Sequence, residues 1–204
     1  MRPTQPGFRT DPPQTDLFQG PTLPGLAYRP DFLSEAGESA LIRDIDAVAL
    51  EPFRFQGWTG KRLTASFGWR YDFDTARFNR AAPIPDFLLP LRAHAAAFAG
   101  LPAEEFVQAL LIRYDPGAGI GWHRDRPVFE HVVGISLGHA VTMRFRRRKA
   151  SGGFERHAQF LERRSAYHLN GPARHDWEHS IAPVDATRWS VTFRSLSARG
   201  RGFL

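Results

Sequence analysis

His123 and Asp125 stand two residues apart in Trp122-His123-Arg124-Asp125, and His179 follows 54 positions after Asp125. Two imidazoles and one carboxylate make a facial ligand set that suits Fe(II) and leaves three positions open for other ligands. Zinc takes the same donor types and is the rival metal. On an extended segment, residues two apart project to one face, so His123 and Asp125 can share a metal. Arg188 and Arg194 are six apart in Arg188-Trp189-Ser190-Val191-Thr192-Phe193-Arg194. Six is a multiple of the strand period, so both guanidinium groups face one side. Arginine's planar fork pairs bidentately with carboxylate, so the two can meet a dicarboxylate in the cavity that holds the metal. His168 and His175 compete with His179 for the third position. Ser180-Ile181 gives His179 a strand-like exit toward the arginine strand, whereas His175 follows the turn-like Gly171-Pro172-Ala173-Arg174.

The elements that must position these residues are mostly short strands. From Phe106 onward, residues 107–114, 132–137, 141–145, 154–161, 166–169 and 189–196 are strand candidates separated by Gly- and Pro-bearing turns, a pattern of sandwiches and small barrels. The closed double-sheet jelly roll houses a histidine–carboxylate site at one mouth. Before it, Ser34 caps a helix with Glu35 and Glu38 in its first turn and Leu41, Ile42, Ile45 and Val48 along its apolar stripe. A second helix is expected over 86–99, with Pro90 in its first turn and Gly100 as its stop. Phe67, Trp69, Tyr71 and Phe73 alternate along a further expected strand. The chain thus divides into an arm over 1–24 with six prolines, a helical and lid region over 25–105, and a core over 106–204.

Composition narrows the classes. A chain of 204 residues forms one domain with a sizeable core. It has no cysteine, which excludes disulfides and thiolate metal sites. No apolar run of about 18 residues exists to span a membrane, and the polar N-terminus lacks a signal core, so a cytoplasmic location is expected; a monomer is expected as well. The net charge of +6 is uneven: residues 106–204 hold 16 basic against 8 acidic side chains, and residues 1–105 hold 11 against 13. Such an excess suits a polyanionic partner, although 25 of the 27 basic residues are arginine, which codon bias also produces. The run Arg144-Phe145-Arg146-Arg147-Arg148-Lys149 before Ser151-Gly152-Gly153 reads as one arm of a basic hairpin that could grip phosphates.

Ile112-Arg113-Tyr114-Asp115-Pro116-Gly117, His123-Arg124-Asp125, Ile135-Ser136-Leu137-Gly138, Gly171 through His179 and the Arg188–Arg194 run occur in an order that resembles the AlkB-like family of Fe(II)- and 2-oxoglutarate-dependent dioxygenases. The stretch from Lys61-Arg62 to Tyr71 is similar, more loosely, to that family's lid. The resemblance implies a mainly β double-stranded β-helix (jelly roll) with flanking helices. It implies Fe(II) held by His123, Asp125 and His179, with 2-oxoglutarate and O2 as cosubstrates. Arg188 would take the distal carboxylate of 2-oxoglutarate, Arg194 would lie nearer its chelating end, and Tyr114 and Ser190 would supply hydroxyls. Two positions depart from the family: Ile112 and Ser190 both stand where asparagine is usual, and isoleucine offers no hydrogen bond.

The implied reaction converts 2-oxoglutarate to succinate and CO2 while hydroxylating a substrate C–H bond; on an N-alkyl carbon the product releases formaldehyde. Trp69 and Tyr71 are the aromatics expected to reach a flipped base. The substrate expected is a modified base in single-stranded DNA or RNA. Pro127 stands where the repair members often place an acid, and Arg174 through His179 looks more like the branch that hydroxylates a tRNA wobble uridine. A protein side chain or a metabolite is the alternative substrate, and a non-catalytic cupin-like module the alternative class.

Overall fold

The computed structural model describes residues 23–55, 57–72 and 77–203. Nearly all of the expected N-terminal arm, and Phe73, lie outside these. In chain order come β1 (Leu26–Arg29), α1 (Glu35–Asp46), β2 (Glu51–Phe55), β3 (Trp58–Phe67), β4 (Trp69–Asp72), β5 (Arg77–Arg80) and α2 (Leu89–Ala99). Then follow β6 (Phe106–Tyr114), β7 (Ile120–His123), β8 (Phe129–Gly138), β9 (Val141–Arg148), β10 (Phe154–Leu161) and β11 (Ala166–Leu169). The last elements are α3 (Gly171–His175), β12 (Glu178–Ile181), β13 (Arg188–Leu196) and α4 (Ala198–Arg201).

The helix signals act as their chemistry dictates. The Ser34 side chain accepts the Gly37 N–H at 3.1 Å and starts α1. Gly100, at φ +69°, ends α2, and Pro90 sits in its first turn behind a short 3-10 segment over Asp86–Leu88. Glu38 does more than its place near the helix N-terminus suggests. It is 1% exposed, and its carboxylate accepts from Arg163 at 2.6 Å and from the Gly138 N–H at 2.8 Å, pinning α1 to the end of β8.

Strands from β6 to β13 alternate between two antiparallel sheets. The larger has the order β1-β11-β8-β13-β6-β3-β2, and the smaller β10-β9-β12-β7. Chain order therefore crosses from β6 to β7, to β8, to the β9–β10 hairpin, to β11, to β12 and back to β13. This is the jelly roll expected of the sequence. Each strand of the larger sheet has one face for each neighbour. On β13, Val191 and Phe193 are buried toward α1 and α2, beside Leu111 and Ile135. Arg188, Ser190, Thr192 and Arg194 take the opposite face, between the sheets. There Tyr114, Val132, Met143, Phe145, Leu169 and Trp177 make a second core. No helix among the described residues is long and apolar enough to cross a membrane.

The expected single aromatic strand through Phe67, Trp69 and Tyr71 is in fact two strands. Gly68, at φ +77°, breaks it, and a Cβ there would collide with the Val107 carbonyl oxygen. Only glycine accepts both conditions. The β4–β5 hairpin consequently forms a separate two-stranded sheet.

Candidate functional site

Register brings the two candidate histidines together. In the β7–β12 ladder, His123 is the direct partner of His179, so both rings leave the same face, with centroids 4.3 Å apart. His179 is also opposite Phe145 of β9, whose ring lies 6.1 Å away. Nδ1 of His123 is 2.9 Å from the Gly121 carbonyl oxygen. A carbonyl only accepts, so Nδ1 carries the hydrogen and Nε2 keeps its lone pair, as a metal ligand requires. Asp125 lies just past β7, and its carboxylate is 7% exposed. Its Oδ2 is 3.7 Å from His179 Nε2, while Oδ1 accepts from Arg194 Nε at 2.9 Å and Nη2 at 2.8 Å.

Arginines hold this corner in place. Arg194 also donates from Nη1 to Gln108 Oε1 at 3.0 Å, and Gln108 Nε2 donates onward to Ser66 Oγ and to the Trp69 carbonyl. Arg174 is 3% exposed, and its Nη2 donates to the carbonyls of Arg126 and Phe129, at the two ends of the turn after Asp125. Burial alone would raise the Asp125 pKa. The charges of Arg194, His179, His123 and Arg174 outweigh it and hold the carboxyl well below the usual range. Burial, followed by the neighbouring His123, pushes His179 down to about 3, and burial also lowers His123. Both rings are therefore neutral donors at neutral pH. Among the described residues no three His, Asp or Glu side chains form a closed metal cage, and the Asp125 carboxylate is paired with Arg194. The donor types, the lone pair on His123 and the anionic Asp125 fit a divalent metal of nitrogen–oxygen preference.

Arg188 defines the other end. It is 1% exposed, faces Tyr114 in the β13–β6 register, and lies 4.8 Å from the Tyr114 ring centroid. Its Nη2 donates to Ser136 Oγ at 3.1 Å, but Nε and Nη1 have no partner. A buried cation bonded only to neutral groups is costly unless an anion joins it. Ser190 lies between Ser136 and Ile112 in adjacent strands, so one row of the floor is hydroxyl, hydroxyl and aliphatic. One face of β13 thus carries the buried Arg188 guanidinium at one end and Arg194, bound to Asp125, at the other, six residues apart.

The competing histidines are elsewhere. His168 faces the α2 side, with Nε2 3.0 Å from His131 Nδ1, and burial pushes it down to about 4. His175 ends the short helix α3, where the sequence suggested a turn, and its Nε2 meets Glu130 at 2.8 Å. Trp69 packs against Val128, Phe129 and Leu196, with the Arg80 guanidinium 5.5 Å from its ring centroid. Tyr71 pairs with Phe78 in the β4–β5 ladder, and its side chain lies outside the described part. Sequence reasoning passed over Arg62 and Tyr167. Arg62, on β3, is mostly buried, and its charge reaches Tyr114 and Arg194. Tyr167, on β11, joins the core between the sheets.

The basic run is a hairpin, as expected: β9 pairs with β10 from Val141–Leu161 to Arg148–Phe154. Strand alternation divides its arginines. Arg144 and Arg146 lie over the Trp122 ring at 5.3 and 4.5 Å, and Arg146, Arg148 and Arg156 over Phe154 at 4.6, 5.2 and 5.9 Å. Arg147 turns the other way, to Trp177 at 5.0 Å and Glu155 at 2.8 Å. A recess of about 460 Å³ joins the two sides at this end of the hairpin, bordered by Arg124, Arg146, Arg147, Arg148 and Phe154, with Asp176 and Glu178 in its wall.

A family model described as the 2OG-Fe(II) oxygenase superfamily matches residues 25–194. The Alkylated DNA repair protein ALKBH8 homolog of Arabidopsis thaliana is 27% identical over 200 residues, covering 85% of this chain and 56% of that protein. The chain thus spans a little over half the length of this curated relative. The structure of OsALKBH1 superposes with a TM-score of 0.68 over 86% of this chain and 99% of the other, at 15% identity, which is a likeness of fold.

Proposed function

Because the chain belongs to the 2OG-Fe(II) oxygenase superfamily and is a 2-oxoglutarate-dependent dioxygenase, we propose that it hydroxylates or oxidatively dealkylates a modified base in single-stranded nucleic acid. His123, Asp125 and His179 hold the iron in this reading, Arg188 takes the far carboxylate of 2-oxoglutarate, and Tyr114, Ser190 and Arg194 line its path to the metal. The observation that carries the cosubstrate assignment is the unpaired guanidinium edge of Arg188 inside the barrel. When bound, Fe(II), 2-oxoglutarate and O2 supply the oxidation of a substrate C–H bond. The chain's own residues do the rest. Arg194 and Arg174 fix Asp125 and the turn behind it, and Gly121 fixes the tautomer of His123. The aliphatic wall of Ile112, Val132, Met143 and Leu169 excludes water from the interior.

The shielded histidines give a pH prediction. A histidine with an ordinary pKa near 6.5 gains a proton as the pH falls from 8 to 6, and two such ligands would cost metal affinity roughly fifteen-fold. Folded-state values lie below that here, so the protonated forms arise only at more acidic pH. His179 then contributes no change and His123 less than an ordinary histidine would, so the expected result is an Mn(II) affinity, measured by titration under nitrogen, that changes less than about four-fold between pH 8 and pH 6. A fifteen-fold fall would show that the rings are not shielded, or that other histidines bind.

The nucleic-acid part is supported by the arginine face over Trp122 and Phe154, and by the likeness to the Arabidopsis relative, which is named an alkylated DNA repair protein. Single strands are gripped by cationic tracks with aromatic platforms, and such binding weakens with salt. Arg146 and Arg147 are already neutralised by Glu178 and Glu155. Replacing Arg144, Arg148 and Arg156 by alanine is therefore expected to lower the slope of log affinity against log salt by about 2, at about 0.7 per phosphate. Turnover of 2-oxoglutarate without substrate should be unchanged. Salt-insensitive binding, or none at low salt, would sink the nucleic-acid reading and leave the oxygenase with a protein or small-molecule substrate.

A further inference from the structure

Tyr167 occupies the floor of the barrel in a way that packing alone does not require. It pairs with Gly134 in the β11–β8 ladder, and Gly134 pairs with Thr192 of β13. Gly134 lies between Val132, which is in the inner core, and Ser136, which accepts from Arg188, so its missing side chain would point into the barrel. The Tyr167 ring fills that space. A Cβ on Gly134 would run into Cζ, Cε1 and the hydroxyl of Tyr167. The ring therefore lies flat across β8, and its hydroxyl is carried one strand over, toward β13. There the groups that feel its charge are Asp125, Tyr114, Arg188 and Arg194. These are the two ends of the candidate cosubstrate site, the metal carboxylate with its arginine and the buried guanidinium with its tyrosine. Ile112, in the same inner core, brings no polar atom to this floor.

We infer that Tyr167 is a cosubstrate-binding residue, whose hydroxyl, laid across Gly134, donates a hydrogen bond to 2-oxoglutarate between Arg188 and the metal corner. The glycine and the tyrosine act as one device, since the slot has no purpose without the ring and the ring cannot lie down without the slot. Burial, and then the Asp125 charge, raise the phenol's pKa, so the group stays a neutral donor over the working pH range. This role depends on the cosubstrate alone and is independent of which substrate the enzyme oxidises.

The test titrates 2-oxoglutarate into the full chain loaded with Mn(II) under nitrogen, so that binding is read without turnover. Tyr167→Phe keeps the ring and its packing and removes only the hydroxyl. Its Kd for 2-oxoglutarate should rise on the order of ten-fold, the usual scale for a lost hydrogen bond to a charged group. Its Mn(II) affinity and melting temperature should match the wild type, which a purely structural role would not allow. Gly134→Ala, which must lift the ring, should weaken 2-oxoglutarate as well and provides a second variant. Equal 2-oxoglutarate affinity in the wild type and Tyr167→Phe overturns this inference and leaves the cosubstrate untouched. A wild-type protein that takes up Mn(II) but no 2-oxoglutarate overturns the cosubstrate site itself, and the role of Tyr167 with it.

Discussion

Replacing His123 by alanine is expected to abolish 2-oxoglutarate turnover while the protein stays folded. His123 ends β7, the edge strand of the smaller sheet, and is partly exposed, so losing its ring removes little packing. Its chemical role is not replaceable by a neighbour: His175 is engaged with Glu130, and His168 faces the other side of the larger sheet. Changes to residues that merely orient metal ligands already cost about 10- to 100-fold, so the loss of a ligand should exceed that. Succinate formation and thermal melting measure the two halves. Asp125→Ala makes an instructive contrast, because it leaves Arg194 without the carboxylate it donates to and removes the larger of the two acidic charges that face Arg174. Breaking a buried pair from one side costs about 3–5 kcal/mol, so that variant should lose stability along with activity. Normal turnover by the alanine variant at 123 would remove this histidine from the site.

Arg188→Met should separate binding from stability in the opposite direction. The guanidinium is fully buried, burial lowers its pKa, and two of its three nitrogens have no partner. An unliganded barrel thus carries an uncompensated cation, and an apolar side chain of similar length relieves it. The melting temperature of the unliganded variant should therefore be at or above that of the wild type. Its affinity for 2-oxoglutarate should fall roughly ten- to a hundred-fold, the range for a charge-assisted pair, and Mn(II) affinity should hold. Thermal melts with and without 2-oxoglutarate read both effects, because a ligand that binds only the native state raises the midpoint. A variant that melts earlier and loses metal and 2-oxoglutarate equally would make Arg188 a structural residue.

What the sequence discloses, and what it conceals, follows from element length. β13 is nine residues long, so its alternation shows that Arg188 and Arg194 share a face and that Val191 and Phe193 do not. The same holds for β6, where Tyr114 is one residue from Arg113 and faces the other way. β7 and β12 have four residues each, too few to display a period, and the register that sets His179 opposite His123 is a property of two strands meeting. Tyr167 was invisible for another reason: β11 is buried on both faces, so Ala166, Tyr167, His168 and Leu169 show no contrast. In Gly171–His175 the glycine and proline read as a turn, yet proline suits a first helical turn, and the short helix is what delivers Arg174 to the carbonyls behind Asp125. The Gly68 break depends on a positive φ and on the approach of the Val107 carbonyl, neither of which is written in the alternation of aromatics.

β13 lies at the centre of the larger sheet, bonded to β8 on one side and β6 on the other, and its two faces have different duties. Odd positions seal the helices against the sheet, and even positions hold Arg188, proposed to meet the cosubstrate, and Arg194, which donates to Asp125. A strand with period two exchanges its faces when it slips by one residue. Inserting or deleting a single residue near Thr187 would send Arg188 and Arg194 into the helix interface and turn Val191 and Phe193 toward the metal corner. The strand can change its side chains one at a time, but its length is fixed, and a frame change of one residue there would remove the fold and the chemistry together.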